Sequence, residues 1–256
     1  MTTLLHIDSS VFPGERSASR TIANAFRQTW QDQHPEGVVI HRDLAADPVP
    51  HITADAWSAG HTAPDERTPQ QVAAFAARLR LIDELEEAEA VLIGAPMYNF
   101  SIPSTLKAWL DAVLLPGRTA GEKPSVAGTP VVVVASRGGS YAPGTPREGF
   151  EFVQNYLEAV LKNTLRLDLD FIVPELTMAP RNPAMANLVP LYEASRTRAF
   201  EEATVKAREL AKRSGGLALK SKCRAQPRAE GVRRSYARAE VVRCAGGFTP
   251  GRRRCR

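Results

Sequence analysis

Four consecutive valines, Val131-Val132-Val133-Val134, constrain what this chain can fold into more than any other segment. Successive side chains of a strand point to opposite faces, so a strand with one wet face alternates apolar with polar residues. A run without alternation demands burial on both faces, the condition of a parallel sheet covered by helices on each side. The flanking pattern agrees: Leu4-Leu5-His6-Ile7, Val38-Val39-Ile40 and Ala90-Val91-Leu92-Ile93-Gly94-Ala95 read as earlier strands, and 167–173 as a later one. Helical stretches separate them. They run from about Ser19 to His34, from Pro69 with Val72, Phe75, Ala76, Leu79, Ile82 and Leu85 on one face, through Leu106, Trp109, Leu110 and Val113 to a stop at Pro116-Gly117, then across roughly 148–164 and about 190–212. Strands alternating with helices predict an α/β fold, a doubly wound five-stranded parallel sheet of order 2-1-3-4-5. The segment 44–68, rich in Ala, Pro, His and Asp, reads as a long connection placed to cap a site or touch a second subunit.

The formal net charge of +5 averages two unlike segments. Residues 214–256 carry ten Arg and two Lys against Glu230 and Glu240, which leaves 21 basic and 26 acidic groups in residues 1–213. The domain reading follows: 1–213 is the folded body, and 214–256 an Arg-, Gly- and Cys-containing tail without periodicity, expected to be disordered and able to bind nucleic acid through its arginines. All three cysteines, Cys223, Cys244 and Cys255, lie in that tail at spacings that lack the close pairs of zinc sites, so no metal is expected and thiol catalysis in the body is excluded. The N-terminus has no basic segment ahead of an apolar one, and no apolar run reaches the roughly 18 residues of a membrane span. These features point to the cytoplasm.

In a doubly wound sheet, ligands collect beyond the carboxyl ends of the strands, so three loops matter. The first runs from Ser9-Ser10 through Ser17-Ala18-Ser19 into a helix; its hydroxyls and the helix N-terminus suit a phosphate, although Ser17 or Ser19 can equally serve as a plain cap. The second is Met97-Tyr98-Asn99-Phe100 before Ser101-Ile102-Pro103, where aromatic rings and an amide can meet a flat heterocycle. The third is Ser136-Arg137-Gly138-Gly139-Ser140-Tyr141, whose glycines admit close backbone approach to a ring and whose Arg137 can balance negative charge.

With these residues in view, 1–213 resembles the FMN-dependent NADH azoreductases, also described as NADH:quinone oxidoreductases, of flavodoxin-like fold. The double serine after the first strand, Ser-x-Ser at 17–19, Met-Tyr-Asn-Phe at 97–100 followed by Ile-Pro-x-x-Leu-Lys at 102–107, and Ser-Arg-Gly-Gly at 136–139 carry the resemblance. It implies that Ser10, Ser17, Ala18 and Ser19 bind the FMN phosphate region. It further implies that Met97, Tyr98, Asn99, Phe100, Ser136, Arg137, Gly138 and Gly139 hold the ribityl chain and isoalloxazine, with Asn99 and Gly139 near N5 and the ring edge. The same resemblance implies a homodimer with flavin sites at the interface, NADH or NADPH as donor, a quinone or azo compound as acceptor, and ping-pong hydride transfer through flavin N5. Two departures stand out: residues 115–129 are shorter than the family's usual connection and lack an aromatic near the flavin face, and the tail has no counterpart.

Two rival functions are weaker. A flavodoxin-type electron carrier would bind FMN without oxidising NADH. A hydrolase would need Ser136 or Ser9 as nucleophile, yet the chain has no G-x-S-x-G elbow and none of its five histidines has a triad context. The absence of G-x-G-x-x-G argues against a dedicated dinucleotide fingerprint, and 117–123 matches a phosphate loop in neither spacing nor terminal residues.

Overall fold

A computed structural model describes residues 2–221, with side chains up to 213. Five parallel strands, β1 (Thr3–Asp8), β2 (Val38–Asp43), β3 (Ala90–Gly94), β4 (Pro130–Val134) and β5 (Asp168–Ile172), form one sheet in the order β2-β1-β3-β4-β5, as the alternation predicts. The valine strand is buried along its whole length, and its side chains divide between two cores. Val131 and Val133 join a core with Leu5, Ile7, Val91, Ile93 and Trp109, while Val132 and Val134 join one with Leu4, Leu92, Phe26 and Trp30. The first core lies under α3 (Pro69–Glu87) and α4 (Ser104–Val113), the second under α1 (Ala18–Gln33) and the long C-terminal helix. Thr68 and Gln71 close a reciprocal capping box at the start of α3, which fixes where the helix begins behind Pro69.

Four expectations change in detail. The connection 44–68 contains α2 (Ala54–Ala59) and a 3-10 turn, Pro64–Glu66, because Thr53 caps a short amphipathic stretch; α2 packs on α3. On α3, Val72 is 52% exposed and Ala76 is also exposed, while the inward position between Phe75 and Leu81 is taken by Arg78. The helix expected over 148–164 is broken into a 3-10 turn (Glu148–Phe150), α5 (Val153–Leu157) and a π-helical segment (Glu158–Thr164), because the backbone at Phe152 donates instead to Phe100 O at 3.2 Å. The last helix, α6, covers Val189–Ser221 and so continues through Gly215-Gly216. The expectations for the remaining tail, including its three cysteines and nucleic-acid binding, lie outside the described residues.

Arg78 is 4% exposed and makes no ion pair among the described residues; its Nε donates to Ala112 O at 2.7 Å and its Nη2 to Leu114 O, two carbonyls at the C-terminal end of α4. It therefore replaces the missing intrahelical donors of that helix end. Arg78→Met keeps the length of the stem and strands these carbonyls. The expected result is a loss of about 2–3 kcal/mol of unfolding free energy in urea titration, the scale of buried polar groups left unpaired.

Candidate functional site

Parallel strands place all their carboxyl ends on one edge, and there the three loops are bonded into a single structure. The Ser10 hydroxyl lies 3.0 Å from the Tyr98 hydroxyl, which also accepts the Val11 N–H at 3.2 Å, joining the first loop to the second. Met97 N–H donates to Ser136 O at 2.7 Å, joining the second to the third. Ser9 is fully buried, and its hydroxyl donates to Gly94 O at 2.6 Å; this holds the first loop against β3 and removes Ser9 as a free nucleophile.

In the first loop Ser17 is the N-cap of α1, its hydroxyl accepting from Arg20 N–H at 3.4 Å and lying 3.1 Å from the Ser19 hydroxyl. Helix geometry leaves the N–H groups of Ala18 and Ser19 without intrahelical acceptors. Capping and anion binding are thus both available at one helix start. Beneath it, Arg20 is 7% exposed and ties the loop down: its Nη2 donates to Ser10 O at 2.7 Å and to Asp43 Oδ1 at 2.6 Å, and its Nη1 lies 3.2 Å from Asp8 Oδ2. Burial pushes the Asp8 carboxyl up, but the hydrogen-bonded His41, the adjoining imidazole of His6 and the Arg20 charge more than reverse this, holding it well below the usual carboxylate range. The Arg20 network carried no motif that sequence reasoning singled out.

The second loop is a tight reversal. Tyr98 and Ser101 exchange backbone bonds of 2.9 and 3.1 Å across Asn99 (φ +48°) and Phe100 (φ +71°), two left-handed residues in succession. Asn tolerates this conformation; Phe does so at roughly 1–2 kcal/mol. Such strain in an exposed loop persists because the flanking bonds over-determine it. A cavity of about 500 Å³ opens beside it, lined by Tyr98, Asn99, Ser101, Ile102, Pro103, Ser104, Lys107 and Tyr156. Another of similar size, about 550 Å³, lies between the 47–53 segment and α3, with Arg42 of β2 in its wall.

In the third loop Arg137 is committed elsewhere. Its Nη2 lies 2.8 Å from Glu175 Oε1 and its Nη1 3.8 Å from Glu151 Oε1, so its charge braces the loop. Gly138 and Gly139 accept from Met178 and Leu176 N–H at 3.2 Å each, laying the loop along 176–178. A Cβ on Gly138 would sit 2.7 Å from Met178 Cγ, whereas one on Gly139 would meet only Tyr141 Cε2 at 3.8 Å. The backbone at Gly139 therefore offers an open face. Around that face stand aromatics the sequence did not signal as part of a site: Phe150 and Phe152, each about half exposed, with the Phe150 ring 5.4 Å from Phe100 and Tyr141 edge-on to Phe100 at 6.5 Å.

Hydroxyls at a helix start, a turn presenting backbone amides, an open glycine face and apolar rings at its rim are what an FMN phosphate, ribityl chain and isoalloxazine need. The residues fit the group. Residues 2–188 match the family model described as flavodoxin-like fold. The chain is 75% identical over 213 residues to an FMN-dependent NADH:quinone oxidoreductase of Streptomyces coelicolor, covering 83% of this chain and 97% of that one. It is 68% identical to one of Streptomyces avermitilis, covering 83% and 99%. The chain belongs to the FMN-dependent NADH:quinone oxidoreductase family. Among solved structures, an azoreductase from Bacillus anthracis Sterne superposes with a TM-score of 0.70 at 23% identity, over 82% of this chain and all of that one. An FMN-dependent NADH-azoreductase from Bacillus anthracis Ames Ancestor, in complex with FMN, gives 0.68 at 21%, over 82% and 100%. At such identities these two establish the shared fold.

Within this family fold, Asn99 is the hinge of the second loop's geometry. Asn99→Gly preserves the left-handed turn, whereas Asn99→Val forces a branched residue into it. Thermal unfolding is expected to leave the glycine variant within about 0.5 kcal/mol of the parent and to cost the valine variant at least roughly 1–2 kcal/mol.

Proposed function

We propose that this protein is an FMN-dependent NAD(P)H oxidoreductase that reduces quinones and aromatic azo compounds. The observation that carries the reading is the bonding of the three loops into one site, Ser10 to Tyr98 at 3.0 Å and Met97 to Ser136 at 2.7 Å, in a chain 75% identical to a relative named FMN-dependent NADH:quinone oxidoreductase. FMN, when bound, would supply the hydride chemistry that links a reduced nicotinamide to the acceptor.

The chain's own groups hold and shield. Ser17, Ser19 and the first-turn N–H groups of α1 would hold the phosphate, with Arg20 fixing Ser10 from below. The backbone N–H groups of Asn99 and Phe100 and the open face at Gly139 would carry the ribityl chain and ring, a preorganised arrangement that needs no reorientation when charge develops. Phe100, Phe150 and Phe152 would form an apolar wall that excludes water and stacks a planar substrate, supplying from 150–152 the aromatic that 115–129 lacks. One face serving donor and acceptor in turn predicts ping-pong kinetics. The exposed Val11, Phe12, Phe100, Phe150, Phe152 and Met178 support a homodimer with this edge at the interface.

Purified protein is expected to be yellow, to release FMN on denaturation, and to oxidise NADH with benzoquinone along parallel double-reciprocal lines. Colourless protein that cannot be reconstituted would overturn the reading, and flavin content without NADH oxidation would favour an electron carrier. Gly139→Val is expected to weaken FMN binding at least roughly tenfold by filling the open face. Ser140→Ala, which loses only a long 3.4 Å bond to Glu175, is expected to change it little. Ending the chain after Ser221 should leave flavin content and NADH oxidation intact, because the three loops and the helices that position them all belong to the unit Met1–Ser221.

A further inference from the structure

We propose that His6, Asp8 and His41 form a binding site for a divalent cation of the Zn²⁺ type between β1 and the edge strand β2, beneath the first loop. His6 and Asp8 are two residues apart on β1 and share a face, and His41 is the register partner of His6 on β2. Parallel pairing thus brings two imidazoles and a carboxylate together. His41 Nε2 lies 3.0 Å from Asp8 Oδ2, His6 Nε2 lies 3.6 Å from the same oxygen, and the ligating atoms are all within 4.8 Å of one another. Tetrahedral zinc with bonds of about 2.0–2.1 Å separates its ligand atoms by about 3.3–3.4 Å, so two of these spacings already match. A small rotation of His41, whose side chain is 39% exposed on the edge strand, closes the third.

Two further observations point to a ligand. His6 is fully buried, yet neither ring nitrogen has a hydrogen-bond partner, and its Nε2 faces the shared oxygen. Such a group normally finds a partner. Secondly, Arg20 stands between two carboxylates, Asp8 at 3.2 Å and Asp43 at 2.6 Å, so its charge is shared and Asp8 Oδ2 also faces the two imidazoles. Arg20 would then orient the ligating carboxylate from outside the coordination sphere, as partners of metal ligands commonly do. Neutral imidazole and carboxylate without thiolate suit zinc, as they suit iron(II), nickel and copper; zinc is the redox-inert member of that set, and the exposed His41 side leaves a further position to water. A cation here would brace β2 against β1 two residues below Ser10.

The test uses the full-length flavoprotein with Cys223, Cys244 and Cys255 replaced by Ser, so that tail thiols cannot bind the metal. After chelator treatment it is titrated with ZnCl₂ by calorimetry and by equilibrium dialysis with metal analysis. The expected result is uptake of about one Zn²⁺ per chain with a rise in Tm, weakened at least roughly tenfold in His41→Ala and in His6→Gln, and unchanged in the surface control His51→Ala. If His6→Gln fails to fold, the half-exposed His41 still decides the matter. Absence of stoichiometric uptake overturns the proposal. It falls equally if His41→Ala binds like its parent, or if His51→Ala loses as much affinity.

Discussion

The desolvation of β3 and β4 on both faces is the constraint from which the rest of this architecture follows. Backbone groups buried in this way have no water to bond, so each must pair within the sheet. β3 and β4 are fully buried, with Ala90–Gly94 and Pro130–Val134 flanked by strands on both sides and by helices above and below. Parallel pairing then requires crossovers, and right-handed crossovers return every strand to start at the same edge. The loops that follow β1, β3 and β4 have nowhere else to go than the opposite edge.

What makes those loops a site is their mutual bonding. Tyr98 is a structural post between Ser10 and Val11, and the Met97 N–H is the tie to Ser136. Held at both ends, the turn between Tyr98 and Ser101 keeps two residues in the left-handed region. Charge is handled beneath and beside the site. Arg20 and Arg137 both sit in ion pairs with acidic residues, which fixes the loops while leaving hydroxyls and N–H groups as the free donors. A site built on backbone donors retains its geometry whatever passes over it, which suits a resident planar cofactor serving two substrates.

The aromatic rim has a different origin. Phe150 and Phe152 reach Phe100 because the chain leaves helical geometry between Glu148 and Val153, and the bond from Phe152 N–H to Phe100 O fixes that departure. A continuous helix over 148–164 would have turned these rings elsewhere. The irregular stretch, not the short 115–129 connection, thus provides the apolar surface near the candidate ligand face.

The sequence by itself determined the sheet and its order, because an unbroken valine run and the alternation of strand and helix periods admit few other folds. It also pointed to all three loops, since motifs such as Met97-Tyr98-Asn99-Phe100 and Ser136-Arg137-Gly138-Gly139 depend on local backbone chemistry that is legible in the residues themselves. Tertiary structure alone decided which groups meet. That Arg78 would be buried among carbonyls, that Arg137 would spend its charge on Glu175, and that His6, Asp8, His41 and Arg20 would converge are outcomes of contacts between residues up to about 40 positions apart in the chain. No periodicity encodes such pairings, because burial of a polar side chain is settled by the partner that the fold delivers to it and not by its neighbours in sequence.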